Sequence, residues 1–179
     1  QGYSGDGGPP TLASLNYAEG MAVSVTVAGN GDLYIADASN HRVRKVSAAN
    51  DTITTIAGTG VSGTVVENVL ATQAPLNYPT AVAVNAAGDV YIADTYGYAV
   101  RKVSGATGLI TTVASFQNYE SPSGLALDPW GRLHVAVSSA GRIYRVDWFN
   151  GAVTVVVGDG GQGVYLNQPS GIAFDGVGN

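Results

Sequence analysis

Four short β-rich phrases recur along this chain in fixed order, and that recurrence constrains the fold more than any other feature. Leu33-Tyr34-Ile35-Ala36-Asp37 returns as Val90-Tyr91-Ile92-Ala93-Asp94 and, degraded, as Leu133-His134-Val135-Ala136-Val137. At unchanged spacing, Arg44-Lys45-Val46 returns as Arg101-Lys102-Val103 and Tyr144-Arg145-Val146. The third phrase is Ile53 to Gly58, matched by Ile110 to Ser115 and Val153 to Gly158. A fourth opens each copy, at Pro79 to Val84, Pro122 to Leu127 and Pro169 to Phe174. Each phrase has the length and alternation of a strand, and Gly, Asn and Asp separate them, so one copy reads as a four-stranded antiparallel sheet. Gly31-Asp32, Gly88-Asp89 and Gly131-Arg132 place a residue tolerant of positive φ where the first hairpin turns.

Leu76-Asn77 reappears at Leu166-Asn167, two copies later, which sets a period of about 45 residues. Four strands at that period are a propeller signature. A lone four-stranded sheet leaves an apolar face wet, so the sheets must pack face to face. The expected fold class is all-β: a β-propeller of four-stranded antiparallel blades, incomplete in this chain and part of a six-bladed ring. Residues 1–15 read as the inter-blade loop of a preceding blade, 16–75 as blade one with a long exit loop, 76–120 as blade two, 121–165 as blade three, and 166–179 as the first strand of a further blade. This predicts 13 strands, the last over Ser170 to Asp175, and essentially no helix. The predicted core includes Val82, Val84, Ile92, Leu125, Leu127, Val135, Ile172 and Phe174.

The phrases SGDGG, LNYPTAVAVNAAGDVYIAD, NHRVRKV and TITTIAGTG resemble the NHL repeat, over nearly the whole chain. The copies depart from it where Val137 replaces the Asp of IAD, and where Gly97-Tyr98-Ala99 replaces Asn40-His41-Arg42. Those copies are read as having lost a local Asp-to-Arg pair.

Charge and composition narrow the function. Net charge is -5, and seven of the eight Lys and Arg residues recur at equivalent repeat positions, Arg132 being the exception. Nucleic-acid affinity rests on neutralising phosphates, so this balance argues against it. There are no cysteines, hence neither disulfides nor thiolate metal sites, and no apolar run approaches a bilayer span, so no membrane insertion is expected in this segment. Gly158 to Gly163 spells G-x-G-x-x-G but lacks a βαβ context and reads as an inter-blade turn. Asp6 and Asp159 each stand alone in such a loop, whereas calcium needs six to eight oxygens. Asp37 and Asp94 end the second strand of their blades, placed to accept backbone N–H bonds or, for Asp37, to pair with Arg42. His134 stands where the other copies have Tyr34 and Tyr91, an aromatic packing substitute. Two histidines in all make no convergent catalytic set, so no catalytic residue, metal ligand or cofactor is expected.

Usual propeller geometry puts the loops joining strands two and three on one face with the inter-blade loops. That face is expected to carry Asn40, His41, Tyr96, Tyr98, Asn118 and Tyr119, with the insertion Val61 to Pro75 on the same side. Tyrosines in loops give rigid contact area and stack on sugar rings, which makes this the candidate ligand surface. Asn50-Asp51-Thr52 is the only N-x-S/T sequon, in a turn that tolerates a glycan at Asn50. The reading is therefore a non-catalytic extracellular or cell-surface interaction module for a protein or glycan. The rival is a fragment of a metal-dependent lyase or lactonase. Gln1 to Leu15 and Leu166 to Asn179 cannot complete a blade together, so the open faces are expected to be covered by the rest of a longer chain or by neighbouring protomers, as in a filament.

Overall fold

The computed structural model describes residues 2–16, 25–27 (backbone), 29–64, 66–147, 150–158, 166–175 and 177–178. Three antiparallel sheets resembling propeller blades account for nearly all regular structure there. The first is β1 (Val25–Val27), β2 (Leu33–Asp37), β3 (Arg42–Ser47) and β4 (Thr52–Ala57), hydrogen-bonded in sequence order. A two-residue β5 (Val69–Leu70) precedes β6 (Pro79–Val84), β7 (Val90–Asp94), β8 (Ala99–Val103) and β9 (Leu109–Ser115). The third sheet is β10 (Pro122–Leu127), β11 (Leu133–Val137), β12 (Arg142–Val146) and β13 (Val153–Val157). The only helical pieces among the described residues are five three-residue 3₁₀ turns.

The first hairpins close as the sequence requires, with Gly31, Gly88 and Gly131 at φ 86, 81 and 78. The sheets stack through their inner strands: β6 lies against β1 and β2 on one side and β10 on the other. Ala36, Ala81, Ala83 and Ala93 are nearly inaccessible there; small side chains let the sheets approach, and Leu76, Ile92, Ile110, Leu133 and Val135 fill the gaps. Val82, Ile92, Leu125 and Val135 are buried as expected, while Val84, Leu127, Ile172 and Phe174 are only half-buried.

Thirteen strands are described, but not the thirteen the repeat predicts. Ser170 to Asp175 is not a strand: among the described residues it has no ladder partner, although it lies along blade three where a next inner strand would pack. Ser123 Oγ donates to the Pro169 carbonyl at 2.9 Å, and Phe174 meets His134 edge-on at 4.7 Å. The additional strand is β5, which pairs antiparallel with the outer strand β9 (Val69 opposite Ile110) and turns the Val61 to Pro75 insertion into a strap from blade one to the edge of blade two. Residues 7–8 treat blade one the same way, through Gly7 N–H to the Ile53 carbonyl (2.8 Å) and Ile53 N–H to the Gly8 carbonyl (3.1 Å).

Each strap carries an acid to the centre of the blade it seals. In blade one Asp6 Oδ1 takes a bond from Arg44 Nη2 at 2.7 Å, and Asp37 Oδ2 lies 3.6 Å from Arg44 Nη1. In blade two Arg101 binds Asp94 Oδ2 through Nε at 3.1 Å and Glu67 Oε1 at 3.5 Å. The carboxylates also cap the linkers: Asn16 N–H donates to Asp37 at 2.9 Å and Asn77 N–H to Asp94 at 2.6 Å. Two expectations are corrected here. Asp37 pairs with Arg44, not Arg42. β2 and β3 run in unbroken register with Asp37 opposite Arg42, and alternation puts Arg42 and Arg44 on one face. Asp37 meets the second of them, while Arg42, at the strand end, reaches the carbonyls of Asn40 and Thr59. Blade two has not lost its pair; Asp94 and Arg101 keep it. Blade three replaces both members at once, as Val137 and Tyr144. There the Tyr144 hydroxyl donates to Glu120 at 3.0 Å, and Ser139 Oγ accepts the Ser121 N–H at 2.8 Å in place of the lost carboxylate.

Candidate functional site

The turns between second and third strands are built alike. A 3₁₀ turn (Ala38–Asn40, Thr95–Gly97, Ser138–Ala140) ends on a left-handed residue: His41 at φ 51, Tyr98 at φ 51 and Gly141 at φ 63. Left-handed backbone is costly for a side chain with a Cβ, and blade three uses glycine for it. Blades one and two instead put an imidazole and a phenol there, and they raise aromatic rings at the same end of the structure.

Those rings make two groups. His41 and Tyr78 meet edge-on with centroids 6.5 Å apart, and Tyr78 stacks on Tyr96 at 5.1 Å and 28°. Tyr98 and Tyr119 meet edge-on at 5.4 Å. Tyr96 is 50% exposed and Tyr119 78%, so each group offers ring surface to solvent. Asn118 and Tyr119 share a left-handed turn at φ 55 and 59, and Asn118 is exposed. Asn40 is corrected as a surface residue: it is buried, and its amide donates to Asp37 Oδ2 at 2.8 Å and to the Gly2 carbonyl at 3.1 Å. Tyr78 was not among the expected residues although it bridges His41 and Tyr96. The available signal was the step Leu76-Asn77-Tyr78-Pro79, repeated as Leu166-Asn167-Gln168-Pro169; Tyr78 and Gln168 take φ 60 and 46 ahead of their prolines.

Between the strap and the second turn of blade two lies a cavity of about 370 Å³, lined by Ser62, Thr64, Asn77, Tyr96, Tyr98 and Arg101. Its charge is already spent, since Arg101 is held by Asp94 and Glu67. The Asn77 amide donates to the Tyr96 carbonyl at 3.2 Å, which ties the linker to the turn. The cavity thus presents hydroxyls, amides and phenol rings without a free cation.

His41 Nδ1 accepts the Tyr78 N–H at 3.1 Å, so the neutral ring carries its proton on Nε2. Burial lowers the imidazole pKa below its ordinary 6.5, Asp94 opposes and Arg42 assists. A folded pKa below the unfolded one means the contribution is complete above about 6.5 and lost as pH falls through the folded value. The Tyr78 amide resonance is therefore expected to hold steady from neutral pH down to about 6.5 and then shift with one midpoint below 6.5. The shift should be absent in His41→Asn; an amide insensitive to pH in the parent chain would contradict the bond.

Among the described residues no three His, Asp or Glu side chains gather as metal ligands, and no helix is long and apolar enough to cross a membrane. Asp6, weighed for calcium, is taken up by Arg44, Tyr3 and Thr55; Asp159 and the glycine-rich run beyond Gly158 lie outside the described residues. His134 packs on Phe174 and sits 3.2 Å from Asp128 Oδ2, as a buried structural side chain does. Asn50 is exposed in a turn, where its side chain accepts a 2.8 Å bond from Thr52.

The NHL repeat model matches residues 15–46 and 76–103. NHL repeat-containing protein 2 of Homo sapiens is 27% identical over 181 aligned positions, covering 82% of this chain and 24% of the relative, so the chain spans about a quarter of that protein's length. Among solved structures, a chain of the nidogen/laminin complex superposes with a TM-score of 0.65 at 16% identity, over 87% of this chain and 53% of that one. Hydrazine synthase of Kuenenia stuttgartiensis gives 0.63 at 21%, over 91% and 44%. At these identities the structural likeness concerns the fold alone.

Proposed function

This chain is an NHL-repeat protein, and from that premise we propose that it is a non-catalytic interaction module whose loop face takes a protein or glycan partner outside the cell or at its surface. The observation that carries the proposal is the pair of aromatic groups flanking a hydroxyl- and amide-lined cavity of about 370 Å³, whose one lining cation, Arg101, is already engaged by two carboxylates. Stacked, backbone-anchored tyrosines lose little entropy on binding and contribute large contact area. Hydroxyls and an amide suit a ligand that both donates and accepts hydrogen bonds, whereas an anionic ligand would find Arg101 already engaged.

The exposed sequon at Asn50, remote from this face, supports the extracellular setting, because a glycan there leaves the rings clear. The competing reading, a metal-dependent lyase or lactonase, requires ligands that the described residues do not gather. Elemental analysis of purified protein discriminates the two. The proposal expects no stoichiometric transition metal; one equivalent of bound metal would favour the enzyme.

A further inference from the structure

Among the described residues, the outer edges of blades one and two carry a paired segment and that of blade three carries none. Residues 7–8 pair with β4 at Ile53, and β5 pairs with β9 at Ile110. The link that would do the same for β13, residues 116–121, is far shorter than the 58–78 link, and it turns back at Glu120 to meet Tyr144 and Arg142. Among the described residues nothing pairs with the outer edge of β13. Its sequence, Val-Thr-Val-Val-Val, has no charge, proline or glycine to discourage pairing, and Val156 and Val157 are about 40% exposed.

The sister blades show which backbone groups face out. Ile53 exchanges both of its bonds with residues 7–8, the Ile110 carbonyl accepts Asn68 N–H at 2.9 Å, and Thr112 N–H donates to Glu67 at 2.8 Å. Val153 and Val155 occupy the same places in blade three, opposite Val146 and Tyr144. We propose that this edge is a dimerisation site at which β13 of a second copy adds antiparallel about a two-fold axis through Thr154.

That register is self-complementary. Val153 faces Val155 of the other copy and the reverse, so the two outward-facing residues of each copy exchange four backbone hydrogen bonds. Thr154 meets Thr154 of the other copy as a non-hydrogen-bonded pair, where Thr–Thr contacts are favourable and like charges are not. The arrangement follows that of β5 on β9, where the apolar pair Val69-Leu70 lies antiparallel on an outer strand. An edge contact is small, so the dimer is weak and concentration-dependent.

Sedimentation equilibrium over a concentration series tests it. Thr154 is exposed, so Thr154→Lys and Thr154→Glu leave the blade intact while placing like charges across the axis. The expected result is a monomer–dimer equilibrium for the parent chain, association about tenfold weaker or more in each variant, and recovery in an equimolar mixture of the two. A parent chain that stays monomeric throughout would overturn the proposal, as would variants that associate like the parent or a mixture that fails to recover.

Discussion

Replacing Asp94 by alanine is expected to cost about 3–5 kcal/mol of folding stability, as when one partner of a buried ion pair is removed. The carboxylate is fully buried, caps the Asn77 N–H and bonds Arg101 Nε, so its loss strands two buried donors and loosens the linker that carries Tyr78. Asp94→Asn should cost only about 1–2 kcal/mol, because an amide oxygen still caps Asn77 while Arg101 keeps Glu67 and Thr112. Burial raises the Asp94 pKa above 3.8 despite the Asn77 and Arg101 bonds. For a carboxyl group raised in the folded state, the stabilising contribution is present below 3.8 and is lost as pH rises through the folded value, a trend Asp94→Asn should abolish. Blade three supplies a rescue: Asp94→Val with Arg101→Tyr copies its Val137 and Tyr144 and should recover part of the loss. Urea denaturation of the parent and the three variants measures this; an alanine variant within about 1 kcal/mol of the parent would remove Asp94 from any central role.

Gly58→Ala is the second large effect, expected at about 2–4 kcal/mol. Gly58 has φ +89, and a Cβ there would run into the His41 carbonyl and the Arg42 backbone, neither of which is the end of a flexible side chain. Its N–H also holds the strap, by a 2.9 Å bond to the Ala71 carbonyl. The strain falls on the left-handed turn at His41, so the variant should lose both stability and the titration of the Tyr78 amide. Denaturation together with the amide pH profile separates the outcomes; a parent-like profile in a destabilised variant would mean the turn does not depend on Gly58.

Local pairing was legible in the sequence because hairpin register is set by adjacent phrases. LYIAD and RKV face each other within about ten residues, and Leu33 to Asp37 do pair with Val46 to Arg42. What escaped was settled between blades. The straps pair at long range with outer strands, and nothing in Val69-Leu70 distinguishes a two-residue strand from a loop. The partner of Asp37 escaped because Arg42 and Arg44, two residues apart, share one face of β3, and the repeat pattern does not say which of them the carboxylate meets. Ser170 to Asp175 has a strand's composition, but a strand also needs a partner to bond. Of the candidate surface, five residues reach the loop face; Asn40 does not, because a buried carboxylate beside it holds its amide.

The loop face is tested most directly by comparing the parent chain with Tyr96→Ala/Tyr119→Ala for binding to an array of glycans and extracellular proteins. Both rings are exposed, so the variant should unfold like the parent. The account predicts a glycan or protein ligand for the parent whose affinity falls at least about tenfold in the variant. Equal binding by the two proteins would contradict it.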